Sequence, residues 1–194
     1  PGGDATNGTL NVTGTGANPL FTYTPNGNYS GPDSFTVQVS DGSITETITI
    51  NVTITAEADA PDLDVDAVVF GDQTTEEVTV IEGAGVSIPI TASLVDGDGS
   101  ENLSLVISGI PVGATLYDGG ANTFNATAGN TSVDITTWDL ANLGIAPPVD
   151  SDAEFSLTVT ATATESSNSN TADTIGTIDV QVNAVADTPT LDLD

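Results

Sequence analysis

The sequence predicts an all-β protein built from tandem antiparallel β-sandwiches. Three observations lead to this fold class. Apolar and polar residues alternate along several runs, β-branched residues dominate those runs, and Gly, Asn, Asp and Pro interrupt them about every 8–12 residues. Alternation places one face of each strand in a core and the other in water, and such closely spaced turns are typical of a sandwich.

The longest alternating run extends from Ile44 to Ala56. Its even positions are apolar except for Glu46, and its odd positions are Thr or Asn. We therefore predict a long strand with one buried face. Shorter runs of the same kind, each also predicting a strand with one buried face, lie at 35–39, 155–163 and 178–184.

An internal repeat predicts the domain boundaries. Residues 50–61 align with 178–189 at a constant shift of 128, and residues 35–39 align with 155–159 at a shift of 120. The second copy therefore carries eight extra residues in the hairpin between its last two strands, around 166–170. Repeats of this period indicate folded units in series. We expect 1–59 to be the C-terminal part of one sandwich, 60–188 a complete sandwich, and 189–194 the start of the next repeat. The early strands of the first sandwich are either missing or supplied from elsewhere, by the parent chain or a neighbouring chain.

The charge balance excludes several classes of function. The 194 residues include 28 Asp and Glu but no Lys, Arg, His or Cys, which gives a net charge of −28. We expect no nucleic-acid binding and no binding to anionic membranes, because both depend on cationic side chains. We also predict no enzyme, because His, Cys and Lys chemistry is absent and no acid lies in an apolar setting suited to carboxylate catalysis. No stretch is apolar enough to insert in a bilayer and no N-terminal signal is present, so we expect an internal piece of a longer chain.

The residues that remain favour calcium. Carboxylates, Asn, Thr and backbone carbonyls supply the hard oxygen ligands that Ca²⁺ prefers. The sharpest candidate is the loop after the strand at 86–94, where Asp96, Asp98 and Glu101 occur in a Gly-rich turn. This loop opens like an EF-hand but lacks the Gly and Glu that complete one. The alternative is a solvated Asp-Gly turn with no ion.

A second acidic cluster directly precedes the strand at 155–163. Asp150 and Asp152 lie there, at the entrance of a strand and therefore at one end of the sandwich. They could complete the ligand set begun by Asp96 and Asp98, or form a site of their own.

A third cluster lies at the predicted linker. The acids there are Glu57, Asp59, Asp62, Asp64 and Asp66, and the last three would share one face of an extended segment. Like charges on one face are unfavourable without a counter-ion, so a linker calcium is predicted, with Glu82 contributing from the domain body. A merely solvated linker is the alternative.

Several segments resemble the Ig-like extender repeats of giant bacterial RTX adhesins, and the first unit resembles the related cadherin-like repeats. The resemblance to the Ig-like repeats is carried by Ser93–Leu116, Asp139–Pro148 and Asp150–Ala163, and the resemblance to the cadherin-like repeats by residues 7–10, 21–35 and 39–42. Tandem Ig-like and cadherin-like β-sandwiches are the fold that this resemblance implies. It also implies type I secretion by a Gram-negative bacterium, display at the cell surface, and calcium that rigidifies the domain chain. Calcium ligands implied by matching motifs are Asp96, Asp98, Glu101, Asp152, Asp59 and its repeat copy Asp187.

Two functions follow as hypotheses. The first is a structural extender that is stiffened by calcium, adjoins neighbouring repeats of the same long chain, and projects a distal adhesive tip. The second is a calcium-dependent module that binds a glycan or a peptide, with the hairpin at 165–173 and the loop at 117–120 as its contact surfaces.

Overall fold

The computed structural model describes residues 5–14, 19–65 and 75–186, with the backbone alone for 75–77. Their regular structure is β except for one 3-10 turn, Leu140–Asn142, so the predicted all-β class is confirmed. The strands are β1 Gly8–Thr13, β2 Leu20–Pro25, β3 Gly31–Ser40, β4 Thr45–Ile54, β5 Asp62–Asp64, β6 Thr75–Ile81, β7 Val86–Ser87, β8 Thr91–Ser93, β9 Glu101–Ser108, β10 Thr115–Tyr117, β11 Thr123–Asn125, β12 Val133–Asp134, β13 Gly144–Ala146, β14 Phe155–Glu165 and β15 Thr171–Asn183.

Contacts divide the chain into two compact units. Unit 1 contains residues 1–58 together with two loops from later in the chain, 96–101 and 165–170. Unit 2 contains the remainder of 59–194. The predicted next repeat at 189–194 lies outside the described residues, and the domain boundaries drawn from the repeat stay a prediction.

Unit 2 is a sandwich of two main sheets. One has the strand order β12-β9-β14-β15-β6 and the other β11-β10-β13-β7, with a short additional pair β5-β8. Neighbouring strands are antiparallel in the registers resolved, except that β6 runs parallel to β15 and pairs Val78 with Val180 and Val80 with Val182. The two sheets enclose one core.

The core follows directly from the alternating pattern. Leu157 and Val159 of β14 and Ile178 of β15 are fully buried, and they pack with Leu116 of β10 and Ile145 of β13. Intervening Thr and Ser residues face solvent or are half-buried. Burial of each such aliphatic side chain contributes roughly 1.5–3 kcal/mol, so these strands are held by their apolar face.

The β14–β15 hairpin shows where the eight extra residues of the second copy lie. The connection between β3 and β4 has four residues, 41–44, and the connection between β14 and β15 has five, 166–170. Most of the insertion therefore lengthens the two paired strands of that hairpin, and one residue lengthens its loop.

Unit 1 contains two antiparallel hairpins, β1–β2 and β3–β4. Tyr23 of β2 stacks on Phe35 of β3 with ring centroids 6.1 Å apart, and Phe35 is buried. The Tyr23 hydroxyl donates a 2.8 Å hydrogen bond to Asp33, which also accepts backbone N–H groups from Asn7 and Ser34. These contacts cover the Gly31–Phe35 end of the second hairpin.

The other end of that hairpin contradicts the sequence prediction. Residues 44–50 were expected to bury their even positions, yet Ile44 is 66% exposed, Ile48 46% and Ile50 39%. The strand itself was correctly predicted, but β1 and β2 cover only part of its apolar face.

Candidate metal site

The loop 96–101 is shaped by its own carboxylates. Asp96 Oδ1 accepts the N–H of Asp98 at 2.9 Å, and Asp98 Oδ1 accepts the N–H of Ser100 at 2.7 Å. Each is an Asx turn, in which a side chain bonds the backbone two residues later. Gly99, with φ of +85°, supplies the left-handed conformation that the turn needs. Asp96 and Glu101 are each only 6% exposed, so the loop holds acids out of water.

A fourth acid, Glu165, joins these three and was not predicted from sequence. It ends β14 and is 2% exposed. Its Oε1 accepts a long 3.4 Å hydrogen bond from the Ser100 hydroxyl, while its Oε2 is buried with no hydrogen-bond partner. The sequence does carry a signal, because position 165 continues the buried odd positions 157–163 of the alternating run.

The electrostatics of this cluster oppose ionisation. Burial raises the pKa of Glu165, and the nearby charges of Glu101, Asp98 and Asp96 raise it further, although the Ser100 hydrogen bond acts in the other direction. At Asp98, hydrogen bonds from the Ser100 side chain and backbone lower the pKa instead. The cluster therefore contains a buried carboxylate, Glu165, with only one oxygen hydrogen-bonded. The chain has no cationic side chain that could balance the charge of these acids.

The hairpin tip beyond Glu165 holds the end of the first repeat. Asn168 Nδ2 donates to the carbonyl of Ala56 at 2.7 Å, and the N–H of Ala58 donates to Asn170 Oδ1 at 2.8 Å. Ser166 N–H donates to the Ser100 carbonyl at 2.9 Å. All these atoms belong to unit 1. The hairpin tip thus connects the acidic loop to the segment 56–58.

The donor chemistry of this cluster fits calcium. Four carboxylates, including Glu165 with its orphaned buried oxygen, offer the hard anionic ligands of a Ca²⁺ site. In the part of the chain that the structure describes, however, no group of three or more acidic side chains is arranged so that it could hold a metal ion. Binding therefore requires the side chains of Asp96, Asp98, Glu101 and Glu165 to move closer together.

The linker acids occupy a different part of unit 2. Asp62 and Asp64 lie exposed on one side of β5, opposite Ser93 and Thr91 of β8, as their spacing predicted. Asp59 is half-buried just before them. Pro61 at this segment accepts a hydrogen bond from the Thr174 hydroxyl, which places the linker beside the first half of β15.

Glu82 is separated from these acids, which corrects its expected role in the linker cluster. Its Oε2 accepts the N–H of Val185 at 3.0 Å, and its own N–H donates to the carbonyl of Asn183. Thr174 and Asn183 lie nine residues apart on β15, roughly 30 Å at the rise of a strand. Glu82 therefore lies near the second copy of the linker. Asp187 of that copy lies outside the described residues.

Asp150 and Asp152 are exposed residues before β14, and Asp150 has a positive φ of 57°. Among residues 5–14, 19–65 and 75–186 they form no group of three acids. Their assignment as calcium ligands stays a prediction.

Asp118 shows what a satisfied buried acid looks like in this protein. It is 4% exposed and accepts the side-chain amide of Asn122 at 2.7 Å and the N–H groups of Gly120, Asn122 and Asp139. The Asn122 hydrogen bond, with help from the backbone donors, lowers its pKa to about 2 in spite of burial. Asp118 therefore fixes the 117–120 loop through its hydrogen bonds, whereas Glu165 has one buried oxygen without a hydrogen-bond partner.

Comparison with known proteins supports the fold and little beyond it. Residues 2–55 match the family model described as a bacterial Ig domain, Big_9. No curated protein matches the chain. An endo-fucoidan hydrolase of glycoside hydrolase family 107, MfFcnA4, is 18% identical over 94% of this chain and 23% of its own, with a TM-score of 0.35. Three N-terminal domains of the bacteriophage RB49 Hoc capsid protein are 14% identical over 86% of this chain and 53% of their own, with a TM-score of 0.37.

The chain spans less than two thirds of the length of either structure. No helix among the described residues is long and apolar enough to cross a membrane. Bacterial Ig domains occur in surface or extracellular proteins and are typically not catalytic. The chain is therefore all-β, and its first 55 residues are similar to a bacterial Ig domain.

Proposed function

We propose that the chain is an extender segment of a bacterial surface adhesin of the RTX type, stiffened by calcium at its loops and linker. The observation that carries this proposal is the buried Oε2 of Glu165, which has no hydrogen-bond partner beside three further acids. Bound calcium supplies the positive charge that this cluster lacks. In the extracellular medium, where calcium is plentiful, the segment spaces a distal adhesive tip from the cell.

The chain's own residues couple that cluster to the linker. Glu165 begins the tip of the hairpin, and the tip holds the backbone of Ala56 and Ala58 through Asn168 and Asn170. When the Glu165 carboxylate is held in place, the tip and its hydrogen bonds to the linker are held with it. Through these contacts, calcium bound at the cluster also holds the backbone of residues 56–58.

The binding-module hypothesis has less support. Asn168 and Asn170 of the hairpin already hold the linker, and Asp118 ties the 117–120 loop to Asn122 and Asp139. The 240 Å³ groove along β14 and β15 is lined by residues 154–156 and 179–181, not by either of the expected contact surfaces. We therefore retain the extender as the single proposal.

Thermal unfolding in calcium and in chelator, combined with small-angle scattering, tests the proposal. We expect chelator to lower the melting temperature and to shorten the maximum dimension, because the stiffened joint becomes flexible. Magnesium at equal ionic strength controls for simple screening of the charge of −28. Identical melting and scattering in calcium and chelator would disprove the extender mechanism.

A further inference from the structure

The dipeptide Asn-Gly occurs twice in the chain, as Asn7 with Gly8 and as Asn26 with Gly27. In such a pair the backbone nitrogen of Gly can attack the side-chain amide of Asn, because Gly has no Cβ to obstruct the approach. The attack closes a five-membered ring, so it requires an Asn–Gly peptide unit that is free to rotate toward the side chain. The two pairs share this chemistry and differ in how the fold holds them.

The first pair is held by contacts on several sides. The Asn7 carbonyl accepts the N–H of Asn26 at 2.9 Å and the Tyr23 hydroxyl at 3.3 Å. The Asn7 N–H donates to Asp33 Oδ2 at 2.9 Å. Gly8 begins β1 and lies against Tyr23, whose Cζ would be only 2.5 Å from a Cβ built on Gly8. Ring closure at Asn7 therefore requires these contacts to break first.

The second pair lies in an open turn between β2 and β3. Asn26 and Gly27 are both exposed, and a Cβ built on Gly27 would meet no heavy atom within 4 Å among the described residues other than its chain neighbours. The N–H of Tyr29 donates to the Asn26 carbonyl at 3.4 Å, which is a long hydrogen bond, and Asn28 has a left-handed φ of 61°. The peptide unit at 26–27 is thus held more weakly than that of the first pair.

We propose that Asn26 is a site of spontaneous deamidation in the folded protein, with the backbone nitrogen of Gly27 as the nucleophile. The Gly27 nitrogen loses its proton to solvent and bonds to Cγ of Asn26, and the side-chain nitrogen leaves as ammonia. One water molecule then opens the resulting succinimide at either carbonyl, which gives aspartate or isoaspartate at position 26. Both products carry one more negative charge, and isoaspartate adds one carbon to the main chain ahead of β3.

Incubation of the intact 194-residue chain in mildly alkaline buffer tests the proposal. Peptide mapping by mass spectrometry follows the conversion of amide to acid at each Asn, and an isoaspartate-specific methyltransferase identifies the product that only ring opening yields. We expect conversion at Asn26 to be about tenfold faster than at Asn7, since Asn7 reacts only from locally opened molecules. The rate should rise with pH, because the attacking nitrogen must lose its proton.

Two controls separate the effect of the fold from that of the dipeptide. In urea, where the contacts of Asn7 are lost, the two sites should react at similar rates. Gly27→Ala should slow conversion at Asn26 about tenfold, because its methyl group obstructs the approach of the nitrogen. The substitution is compatible with the turn, since Gly27 does not have a left-handed φ and its surroundings are open.

Three results would overturn the proposal. The first is the absence of isoaspartate at position 26 after incubation of the folded chain. The second is conversion at Asn7 as fast as at Asn26 without urea, which would mean that the contacts of Asn7 give no protection. The third is an unchanged rate in Gly27→Ala, which would indicate direct hydrolysis of the side-chain amide by water. None of these results involves calcium, so the extender proposal is tested separately.

Discussion

Replacing Glu165 by Gln should raise the stability of the calcium-free protein and reduce the further stabilisation that calcium provides. In chelator, the variant is expected to be more stable than the parent, because the buried charge and its repulsion from Glu101, Asp98 and Asp96 are removed. In calcium, the variant is expected to gain less stability, since one of the four proposed carboxylate ligands is lost. Gln has nearly the same shape as Glu, so packing at this 2% exposed position is preserved.

The size of the effect follows from binding linkage. Extracellular calcium modules bind with dissociation constants of roughly 10⁻⁴–10⁻³ M. At a calcium concentration about 100 times the dissociation constant, binding adds about 2.7 kcal/mol to the free energy of unfolding. If loss of one ligand weakens binding about tenfold, the increment falls to about 1.4 kcal/mol. For a domain of this size, we expect the parent to gain roughly 5–10 °C and the variant about half of that.

Differential scanning calorimetry of both proteins, each in 10 mM calcium and in chelator, measures the four melting temperatures. Glu46→Gln is the control, because it removes one negative charge from an exposed position on β4. It should shift both melting temperatures equally. The reasoning would be refuted if Glu165→Gln gained as much from calcium as the parent, or if it were less stable than the parent in chelator.

Four further predictions follow. As the pH is lowered, calcium binding should begin to weaken at a higher pH than it does at an ordinary carboxylate site, because the pKa of Glu165 is raised. Calorimetric titration measures this, and binding that is unchanged down to pH 4 would contradict it. Asp118→Asn should destabilise unit 2 at pH 7. The difference in urea midpoint between parent and variant should disappear as the pH falls from about 4 to 2, because the ionised Asp118 with its lowered pKa stabilises the fold only above that range. Gly176→Ala should cost about 1–3 kcal/mol in urea unfolding, because its Cβ would lie 2.6 Å from Val65, and adding Val65→Ala should recover part of the loss. Leu157→Ala, at a fully buried site, should cost about 3–5 kcal/mol by the same measurement, and a loss below 1 kcal/mol would contradict the assigned core.

The strands predicted at 35–39, 44–56, 155–163 and 178–184 are present, whereas the single strand expected at 86–94 is two short strands, Val86–Ser87 and Thr91–Ser93. The alternating pattern predicted burial correctly only where a partner sheet exists. Leu157, Val159 and Ile178 are buried as predicted, because the sheet containing β10 and β13 covers them. Ile48 belongs to an equally clear pattern and is 46% exposed. Period 2 states which side chains share a face, whereas the arrangement of other strands decides whether that face is covered.

The acidic loop could be found from sequence, and alternation marks position 165 as buried, but the proximity of Glu165 to that loop could not be found. Asp96, Asp98 and Glu101 are neighbours in the chain, so their proximity is local. Glu165 lies 64 residues after Glu101, and only the folded hairpin brings it to Ser100. For the same reason Glu82, which spacing alone assigned to the first linker, instead bonds to Val185.

The sequence alone determined the all-β class, the positions of the long alternating strands, the repeat and a charge that no cationic side chain balances. Those properties depend on composition and on the local alternation of polar and apolar residues, both of which can be read directly from the sequence. Tertiary structure decided that Asp118 is satisfied by protein donors while Glu165 has a buried oxygen without one, although both are buried acids. The physical reason is that the hydrogen-bond donors to a buried carboxylate come from residues distant in sequence that the fold brings close. The alternation of polar and apolar residues along a strand does not specify which residues those are.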